Sequence, residues 1–426
     1  MSGQAVSTAL AALELARAGR FGELHERFAP QLRATVPPEA IAAGWAAAIQ
    51  QHGQVIAVGT PVSEAVTVGA VVVRIPVTFA RGKQTVAVTV SDAGWLAGVQ
   101  LLPAGAAVPA EPWEPPGYAD PRRFEEQEVT LGAGPLAVPG TLSLPRSGGA
   151  GPGAAVVLLS GSGPHDRDET IGRNKPFKDL AWGLATRGVA VLRFDKVTYA
   201  HQRELATAAD FTLADEYLPH AVAAVRLLQG HPAVDAARVI VLGHSLGGTA
   251  APRVAAAEPS VAGLVILAGG TQPLHWAAVR QVRYLASLDP VAAAASRHTA
   301  EALTRQAELV DSPDLSPATP ASELPFGVPA AYWLDLRGYD PVATAAALGK
   351  PMLILQGGRD YQVTVADDLA GWQAGLAGLP GVTIRVYQAD NHLFFPGAGP
   401  SSPAEYEPAQ HLDPAVVADV ADWLTG

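Results

Sequence analysis

Cysteine is absent from the 426-residue chain, which excludes disulfide bonds and thiolate metal sites. A chain without cysteine is compatible with any compartment, so this absence does not assign a redox environment. Long apolar runs are also missing, and the longest, residues 154–159 and 261–268, are the size of strands. A membrane-spanning helix needs roughly 18 apolar residues or more, so we expect no membrane insertion.

Basic residues are scarce as well. Lysine and arginine total 29 against 40 acidic residues, the net charge is −11, and no basic run occurs. Nucleic acids and anionic membranes bind basic surfaces, so neither is an expected partner. Glu14 and Arg17 interrupt the amino-terminal segment, which lacks the basic and apolar regions of a secretory signal. A cytoplasmic location is the default expectation, while export with a removed signal and the oligomeric state stay open.

The first hundred residues change from a helical period to a strand period. Apolar residues recur at helical spacing over residues 4–51 and alternate with a period of two over residues 55–102. Helices followed by antiparallel strands indicate a small α+β accessory domain at residues 1–102. The proline-rich segment 103–121 is typical of a linker, which leaves residues 122–426 as a second domain.

The second domain alternates strand patterns with helical patterns. This alternation predicts an α/β fold with a mostly parallel sheet and helices on both faces. Residues 271 to about 349 interrupt it, and such an insertion is typical of a helical cap over the carboxyl edge of the sheet; a structural excursion away from that edge is the alternative. The predicted strands are Phe124–Leu131, Leu136–Leu144, Ala154–Ser160, Val189–Phe194, Arg238–Leu242, Val261–Ala268, Met352–Gln356 and Val382–Tyr387.

A glycine-rich turn follows the fifth of these strands. The residues at 243–247, GHSLG, fit the G-x-S-x-G pattern, in which a serine occupies a strained turn between a strand and a helix. Small residues are needed beside the serine because strand and helix pass close together. The apolar run 239–242 and the alanine-rich run 249–257 supply that strand and that helix. The pattern predicts Ser245 as a nucleophile, and an ordinary serine in a glycine-rich turn is the alternative.

A serine hydroxyl attacks efficiently only when a base accepts its proton and an acid orients that base. In G-x-S-x-G hydrolases the chain order is serine, acid, histidine. Asp360 and His392 each lie one loop beyond a predicted strand, so both can reach the carboxyl edge of the sheet. We predict Asp360 as the orienting acid and His392 as the general base and acid. Asp390 is the alternative acid, disfavoured because it is so close to His392 along the chain.

Two backbone amides are predicted to hold the oxyanion that such an attack creates. One belongs to Leu246, the residue after the nucleophile, and the other to a loop that follows an earlier strand. Glycines in the loop 160–163, SGSG, let the backbone approach a ligand, so we assign the second donor to Ser162. The candidate substrate contacts are His165, His244 and Tyr199.

Motifs for metals and organic cofactors are weak. His165, Asp166, Asp168 and Glu169 cluster along the chain, but no further ligand joins them, and a hydrogen-bonded loop accounts for them better than a metal site. The loop 160–163 lacks the third glycine and the helix start of a dinucleotide site, and no Walker-type loop occurs. We therefore expect neither a cofactor nor a metal. No role is assigned to Lys196 from the sequence.

Five segments together resemble the EstD-type bacterial carboxylesterases of the α/β-hydrolase superfamily. They are SGSGPHDRDE (160–169), NKPFKDLAWGLATRGVAVLRFDK (174–196), GHSLGG (243–248), LQGGRDYQV (355–363) and DNHLF (390–394). The resemblance covers residues 122–426. It implies an α/β-hydrolase fold that cleaves short acyl esters with Ser245, Asp360 and His392, without metal or organic cofactor. Residues 1–102 resemble the NTF2-like or cystatin-like accessory domains that precede such hydrolases.

The expected activity is therefore that of a serine carboxylesterase acting on a small-molecule ester. A serine peptidase or aryl-acylamidase is the first alternative, because the same triad serves esters and amides. A ligand-binding protein with a vestigial hydrolase site is the second.

Overall fold

The chain folds as two compact units. The computed structural model describes residues 2–67, 70–103, 113–146, 151–206, 208–288 and 293–426. One unit comprises residues 1–111 and 278–330, and the other comprises residues 112–277 and 331–426. Of the linker predicted at 103–121, residues 104–112 lie outside the described residues.

The helices and strands of the described residues are as follows. The helices are α1 (Ser2–Arg17), α2 (Phe21–His25), α3 (Pro30–Thr35), α4 (Pro38–His52), α5 (Pro176–Thr186), α6 (Val197–Ala200), α7 (Gln202–Leu205), α8 (Leu213–Gln229), α9 (Leu246–Ala257), α10 (Leu274–Leu288), α11 (Ala293–Asp311), α12 (Ala330–Arg337), α13 (Pro341–Leu348), α14 (Ala370–Gly375) and α15 (Pro414–Thr425). The strands are β1 (Val55–Val58), β2 (Val62–Thr67), β3 (Ala70–Phe79), β4 (Gly82–Ser91), β5 (Leu96–Pro103), β6 (Phe124–Leu131), β7 (Val138–Pro145), β8 (Gly153–Leu159), β9 (Ala190–Phe194), β10 (Val234–His244), β11 (Gly263–Leu267), β12 (Met352–Gly357) and β13 (Val382–Tyr387).

The first unit contains an antiparallel sheet packed against helices. Its strands have the order β1-β3-β4-β5, and β2 also pairs with β3. Val73, Ile75 and Val77 of β3 are buried, while the residues between them are only half-buried, which is the period of two seen in the sequence. Their side chains share a core with α1. Helices followed by an antiparallel sheet were predicted here, and this part of the fold prediction is confirmed.

Two helices of the predicted cap region have different surroundings. Helix α11 packs against α4 within the first unit. Helix α12 belongs to the second unit, where the carboxylate of Asp335 accepts two hydrogen bonds from Arg253 of α9, at 2.7 and 2.8 Å. The amide of Ala214 at the start of α8 also donates to Asp335, at 3.1 Å. A bidentate arginine–carboxylate pair of this kind fixes α12 against α9.

The second unit is built on an eight-stranded sheet of order β13-β12-β11-β10-β8-β9-β7-β6. The five neighbouring pairs from β13 to β9 are parallel, and only the pairs that involve β7 are antiparallel. Strand β8 is the point at which the chain changes direction across the sheet, because β9 lies on one side of it and β10 on the other. Ligands of open α/β sheets bind beyond the carboxyl ends of the strands at such a switch point.

Helices cover both faces of this sheet. Helices α5 and α15 contribute to one apolar core, which includes Leu180, Leu184 and Val420, while α8 and α9 pack against β10. Every residue of β9, β11 and β12 is buried, which explains why these strands are apolar in the sequence apart from Arg193 and Gln356. The predicted mostly parallel, eight-stranded α/β fold is confirmed. Among the described residues, no helix is both long enough and apolar enough to cross a membrane.

Strand β10 begins four positions earlier than predicted. The sequence placed its start at Arg238, whereas Val234 already pairs with Gly153 of β8. The register then shifts before Val239 pairs with Ala155. The intervening residues are polar or exposed, so the apolar pattern could not include them.

Candidate active site

Ser245 occupies the strained turn that the sequence predicts between β10 and α9. Its φ and ψ are 53° and −120°, a region that side-chain-bearing residues rarely adopt. Its amide donates to the carbonyl oxygen of Leu267, at 2.9 Å. A Cβ atom on Gly243 would lie 2.1 Å from the carbonyl oxygen of Gly247, and one on Gly247 would lie 2.2 Å from that of Leu159. Only glycine fits at these two positions, and this crowding fixes the turn that carries Ser245.

His392 and Asp360 form a buried pair on the loops that follow β13 and β12. Nδ1 of His392 lies 2.7 Å from Oδ2 of Asp360. The amides of Gln362 and Val363 donate to Oδ1 of Asp360 at 2.8 and 3.0 Å, and Nε2 of Gln356 donates to Oδ2 at 3.1 Å. These donors fix the carboxylate, which in turn orients the imidazole through Nδ1.

Asp390, the alternative acid, is buried in a different environment. Burial and the negative charge of neighbouring Asp413 raise the pKa of Asp390 to about 7. The side chain is completely buried. The structure pairs His392 with Asp360, not with Asp390.

The loop that carries Ser162 lies beside Ser245. A Cβ atom on Gly161 would lie 3.1 Å from Cβ of Ser245, so the two backbones are close neighbours. The amide of Gly161 already donates to Oε1 of Glu169, at 2.7 Å. Within the described parts of the chain, the amides of Ser162 and Leu246 donate no hydrogen bond. Two amides at the carboxyl edge, one of them at the start of α9, can therefore receive an anionic oxygen.

Glu169 and His244 form a second buried carboxylate–histidine pair, which sequence reasoning missed. Nδ1 of His244 lies 2.9 Å from Oε1 of Glu169, and Nε2 lies 3.0 Å from the carbonyl oxygen of His392. The rings of His244 and His392 have centroids 4.8 Å apart. The pair thus connects the Ser162 loop, the turn of Ser245 and the loop of His392. Its sequence signal was an acidic residue in the loop after β8 together with a histidine inside the G-x-S-x-G pattern.

Lys196 is the other residue that the sequence left without a role. It lies two residues beyond the end of β9, is 2% exposed, and its Nζ donates to the carbonyl oxygen of Gly161 at 2.6 Å. Glu216 of α8 lies 3.0 Å from the same Nζ. Burial lowers the pKa of Lys196, and the charge of Glu216 opposes that shift. The available signal was that Lys196 is one of only five lysines and lies two residues beyond a strand end at the carboxyl edge.

The predicted substrate contacts differ in their surroundings. Nε2 of His165 lies 2.8 Å from the carbonyl oxygen of Ser162, and burial lowers the pKa of this histidine. Both ring nitrogens of His244 face acceptors within the protein. Tyr199 lies in α6, half-buried, and its amide donates to the carbonyl oxygen of Lys196 at 2.8 Å.

The acidic segment after Ser162 makes hydrogen bonds of its own. Asp168 accepts from Arg193 at 2.9 Å and from Lys175 at 2.8 Å, while Asp166 accepts from the amide of Thr170 at 2.8 Å. Together with Glu169, these carboxylates hold the loop in a fixed conformation. No group of three or more potential metal ligands is assembled among the described residues.

Comparisons with known proteins relate the chain to serine hydrolases. The family model described as serine aminopeptidase, S33, matches residues 151–394. The esterase EstD of Thermotoga maritima is 38% identical over 347 residues, which cover 81% of this chain and 77% of the relative. Among solved structures, the Pyrococcus furiosus esterase PF2001 aligns with a TM-score of 0.44 at 18% identity, over 75% of this chain and 100% of that one. Est1E from Butyrivibrio proteoclasticus aligns with a TM-score of 0.44 at 17% identity, over 70% and 97%.

Proposed function

Since the chain belongs to the serine aminopeptidase S33 family of α/β-hydrolases, we propose that it is a serine carboxylesterase that hydrolyses short-chain acyl esters of small molecules. The observation that carries this proposal is the buried pair of His392 and Asp360, joined at 2.7 Å, on the same sheet edge as the strained turn of Ser245. The name of the EstD relative, an esterase, supports an ester as the substrate.

The first half of the reaction acylates Ser245. The Oγ atom attacks the acyl carbonyl carbon while Nε2 of His392 accepts its proton, and Asp360 holds Nδ1–H and stabilises the imidazolium that forms. The former carbonyl oxygen becomes an oxyanion, which receives hydrogen bonds from the amides of Leu246 and Ser162. When the tetrahedral intermediate collapses, the bond from carbon to the alcohol oxygen breaks, and His392 donates its proton to the leaving alcohol.

The second half releases the acid. Water attacks the carbonyl carbon of the acyl-serine, and His392 accepts a proton from it. The new oxyanion is held by the same two amides. Collapse of this intermediate breaks the bond to Oγ, which takes the proton back from His392, so that Ser245 is regenerated and a carboxylic acid leaves.

Replacement of the nucleophile tests this mechanism. Ser245→Ala should lower kcat for p-nitrophenyl acetate or butyrate by up to about 10⁶, the loss that follows removal of the nucleophile in a comparable triad. A fluorophosphonate should label the native protein stoichiometrically at Ser245 and should not label the denatured protein. Near-native turnover by Ser245→Ala would contradict the proposal, and a folded protein that resists labelling would favour a ligand-binding protein with a vestigial site.

An amide hydrolase is the second candidate, because the family model that matches the chain is described as a serine aminopeptidase. The proposed triad can cleave both bond types, so the distinction requires substrates with the same acyl group. We expect p-nitrophenyl acetate to be cleaved with a far higher kcat/KM than p-nitroacetanilide. A higher kcat/KM for the anilide would assign the protein to amide hydrolysis. A series of esters graded by acyl length then defines the preferred substrate.

A further inference from the structure

The carbonyl oxygen of Gly161 accepts hydrogen bonds from two buried side chains. Nζ of Lys196 lies 2.6 Å from this oxygen, and the hydroxyl of Tyr217 lies 3.2 Å from it. The single hydrogen of this hydroxyl is shared with the carbonyl oxygen of Ser160, which is nearer at 2.8 Å. Lys196 also lies over the ring of Tyr217, with Nζ 4.5 Å from the centroid. The backbone before Ser162 is therefore held from inside the protein by a cation and a phenol.

The carbonyl of Gly161 and the amide of Ser162 belong to one peptide unit. A trans peptide is planar, so its C=O and N–H point in opposite directions. Because the carbonyl of Gly161 points at the buried Lys196, the N–H of Ser162 points away from the buried lysine, and Ser162 itself is exposed. The N–H of Gly161 is held on the other side by Glu169. The Ser162 amide cannot turn without loss of these contacts.

A cation at the carbonyl also changes the strength of the amide. An ammonium that binds the carbonyl oxygen withdraws electron density through the conjugated peptide, and hydrogen bonds in series strengthen one another in this way. The Ser162 N–H is thereby a stronger donor than an ordinary loop amide. This matters most when a negative charge develops on the bound oxygen, because the gain from a stronger donor grows with that charge.

A carboxylate beside Lys196 offsets part of the cost of burying its charge. Glu216 faces Nζ at 3.0 Å, and its carboxylate also accepts hydrogen bonds from Thr198 and from Tyr332 of α12. A buried ion pair of this kind adds little to stability beyond what apolar residues of the same size would give. Stability alone therefore does not account for a lysine at this position.

We infer that Lys196 is a positioning residue of the oxyanion site: it directs and polarises the Ser162 amide through the intervening peptide unit, without touching the substrate. This inference rests on the proposed function, because it assigns a purpose to the Ser162 amide in ester hydrolysis. It deepens that proposal by naming the side chain that makes the amide effective in the transition state.

The test compares two lysines that both donate to backbone carbonyls. Lys196→Met removes the cation and keeps the length of the side chain. Lys350→Met is the matched control, because Nζ of Lys350 donates to the carbonyl oxygens of Pro259 and Val261, at 2.9 and 2.6 Å, before β11 and at the opposite end of the sheet. Loss of one oxyanion donor lowers kcat by about 10²–10³, so we expect Lys196→Met to lower kcat by about 10- to 100-fold with KM within about threefold. Lys350→Met should leave both constants near their native values.

A transition-state analogue separates positioning from a general structural effect. A trifluoromethyl ketone forms an oxyanion on Ser245, so its affinity should fall by the same factor as kcat/KM in Lys196→Met. Lys196→Gln keeps a neutral donor, so it should recover part of the kcat/KM and part of the affinity for the ketone. Tyr217→Phe should lose kcat/KM and affinity by the same factor, which should be smaller than in Lys196→Met. If Lys196→Met does not fold, Lys196→Gln and Tyr217→Phe decide the outcome through the same comparison of kcat/KM with affinity for the ketone.

Two results would overturn the inference. One is a folded Lys196→Met protein with native kcat. If Lys196→Met does not fold, the equivalent result is native kcat in both Lys196→Gln and Tyr217→Phe. The other is a loss of kcat with unchanged affinity for the ketone. Neither result contradicts the proposed function if the parent protein hydrolyses esters and the fluorophosphonate labels Ser245. If ester hydrolysis and labelling both fail in the parent, the proposed function fails first and the inference with it.

Discussion

Nδ1 of His244 and Oε1 of Glu169 lie 2.9 Å apart, within hydrogen-bond distance. The other ring nitrogen faces the carbonyl oxygen of His392, which can only accept, so that nitrogen carries a hydrogen. Burial alone would lower the pKa of His244, but the charge and hydrogen bond of Glu169 outweigh it and raise that pKa. Burial likewise opposes the charge on Glu169, yet the facing imidazole lowers the pKa of the carboxyl. Both shifts favour the imidazolium form of His244 and the carboxylate form of Glu169.

We predict a stability difference between the native protein and Glu169→Gln that depends on pH. The raised pKa of His244 means that its contribution is complete below the ordinary value of 6.5 and is lost as the pH rises through the folded pKa. The lowered pKa of Glu169 means that its contribution is complete above the ordinary value of 4.5 and is lost as the pH falls through the folded pKa. The difference in free energy of unfolding should therefore be largest between about pH 4.5 and 6.5.

Urea denaturation across the pH range measures this difference. Glu301→Gln is the control, because Glu301 lies 4.0 Å from His298 in an exposed pair, where solvent screens the interaction. A stability difference for Glu169→Gln that stays constant with pH would contradict the ion pair.

Asp360→Asn and Asp390→Asn should affect catalysis very differently. An amide at 360 cannot hold His392 in the required tautomer, and the comparable change in another triad lowers kcat by about 10⁴. Asp390 lies outside the pair that orients His392. We expect Asp390→Asn to retain kcat/KM for p-nitrophenyl acetate within about threefold. A greater loss in Asp390→Asn than in Asp360→Asn would reverse the assignment of the acid.

Asp390→Asn should also stabilise the protein at alkaline pH. Because the folded pKa of Asp390, about 7, lies above its ordinary value of 3.8, the folded state holds a proton that the unfolded state releases. Stability is therefore lost as the pH rises through about 7. Thermal denaturation should give a higher Tm for Asp390→Asn than for the native protein at about pH 9, and a smaller gain at about pH 5. An equal gain at both values would show that the ionisation of Asp390 is not the cause.

Gly161→Ala should impair turnover more than it impairs folding. The new Cβ would lie 3.1 Å from Cβ of Ser245 and 3.2 Å from Oε1 of Glu169, so the loop must move by a few tenths of an ångström. Small misplacements of catalytic groups are costly, and we expect kcat to fall at least about tenfold while Tm changes little. Gly151→Ala is the control, since none of the residues that the structure describes lies within 4 Å of a Cβ there. Equal kinetic constants for both variants would contradict the close approach of this loop to Ser245.

The strands and the candidate site residues could be predicted from the sequence where each depends on a pattern within a short segment. The strand patterns could be recognised in the sequence, and Asp360 and His392 stood out because each lies one loop beyond a predicted strand. The turn of Ser245 was predictable because crowding between a strand and a helix requires glycine on both sides of the serine. Each of these features can be read within a short segment.

Glu169 and Lys196 could not be assigned because their partners are distant in sequence. Glu169 lies 75 positions from His244, and Lys196 lies 35 positions from Gly161. A lysine or a glutamate in a loop has no periodic pattern that reveals such contacts. The same limit applies to residues 271–349, whose helices the periodicity predicts, but whose division between the two units depends on tertiary packing.

The crowding at Gly243 and Gly247 has a practical consequence for engineering. Each of these residues faces a backbone carbonyl closer than any carbon substituent can approach, so a library that varies them would yield misfolded members whatever its size. If the proposed function holds, diversity aimed at new substrate preferences belongs instead at half-buried positions such as His165 and Tyr199, which lie outside this crowded turn.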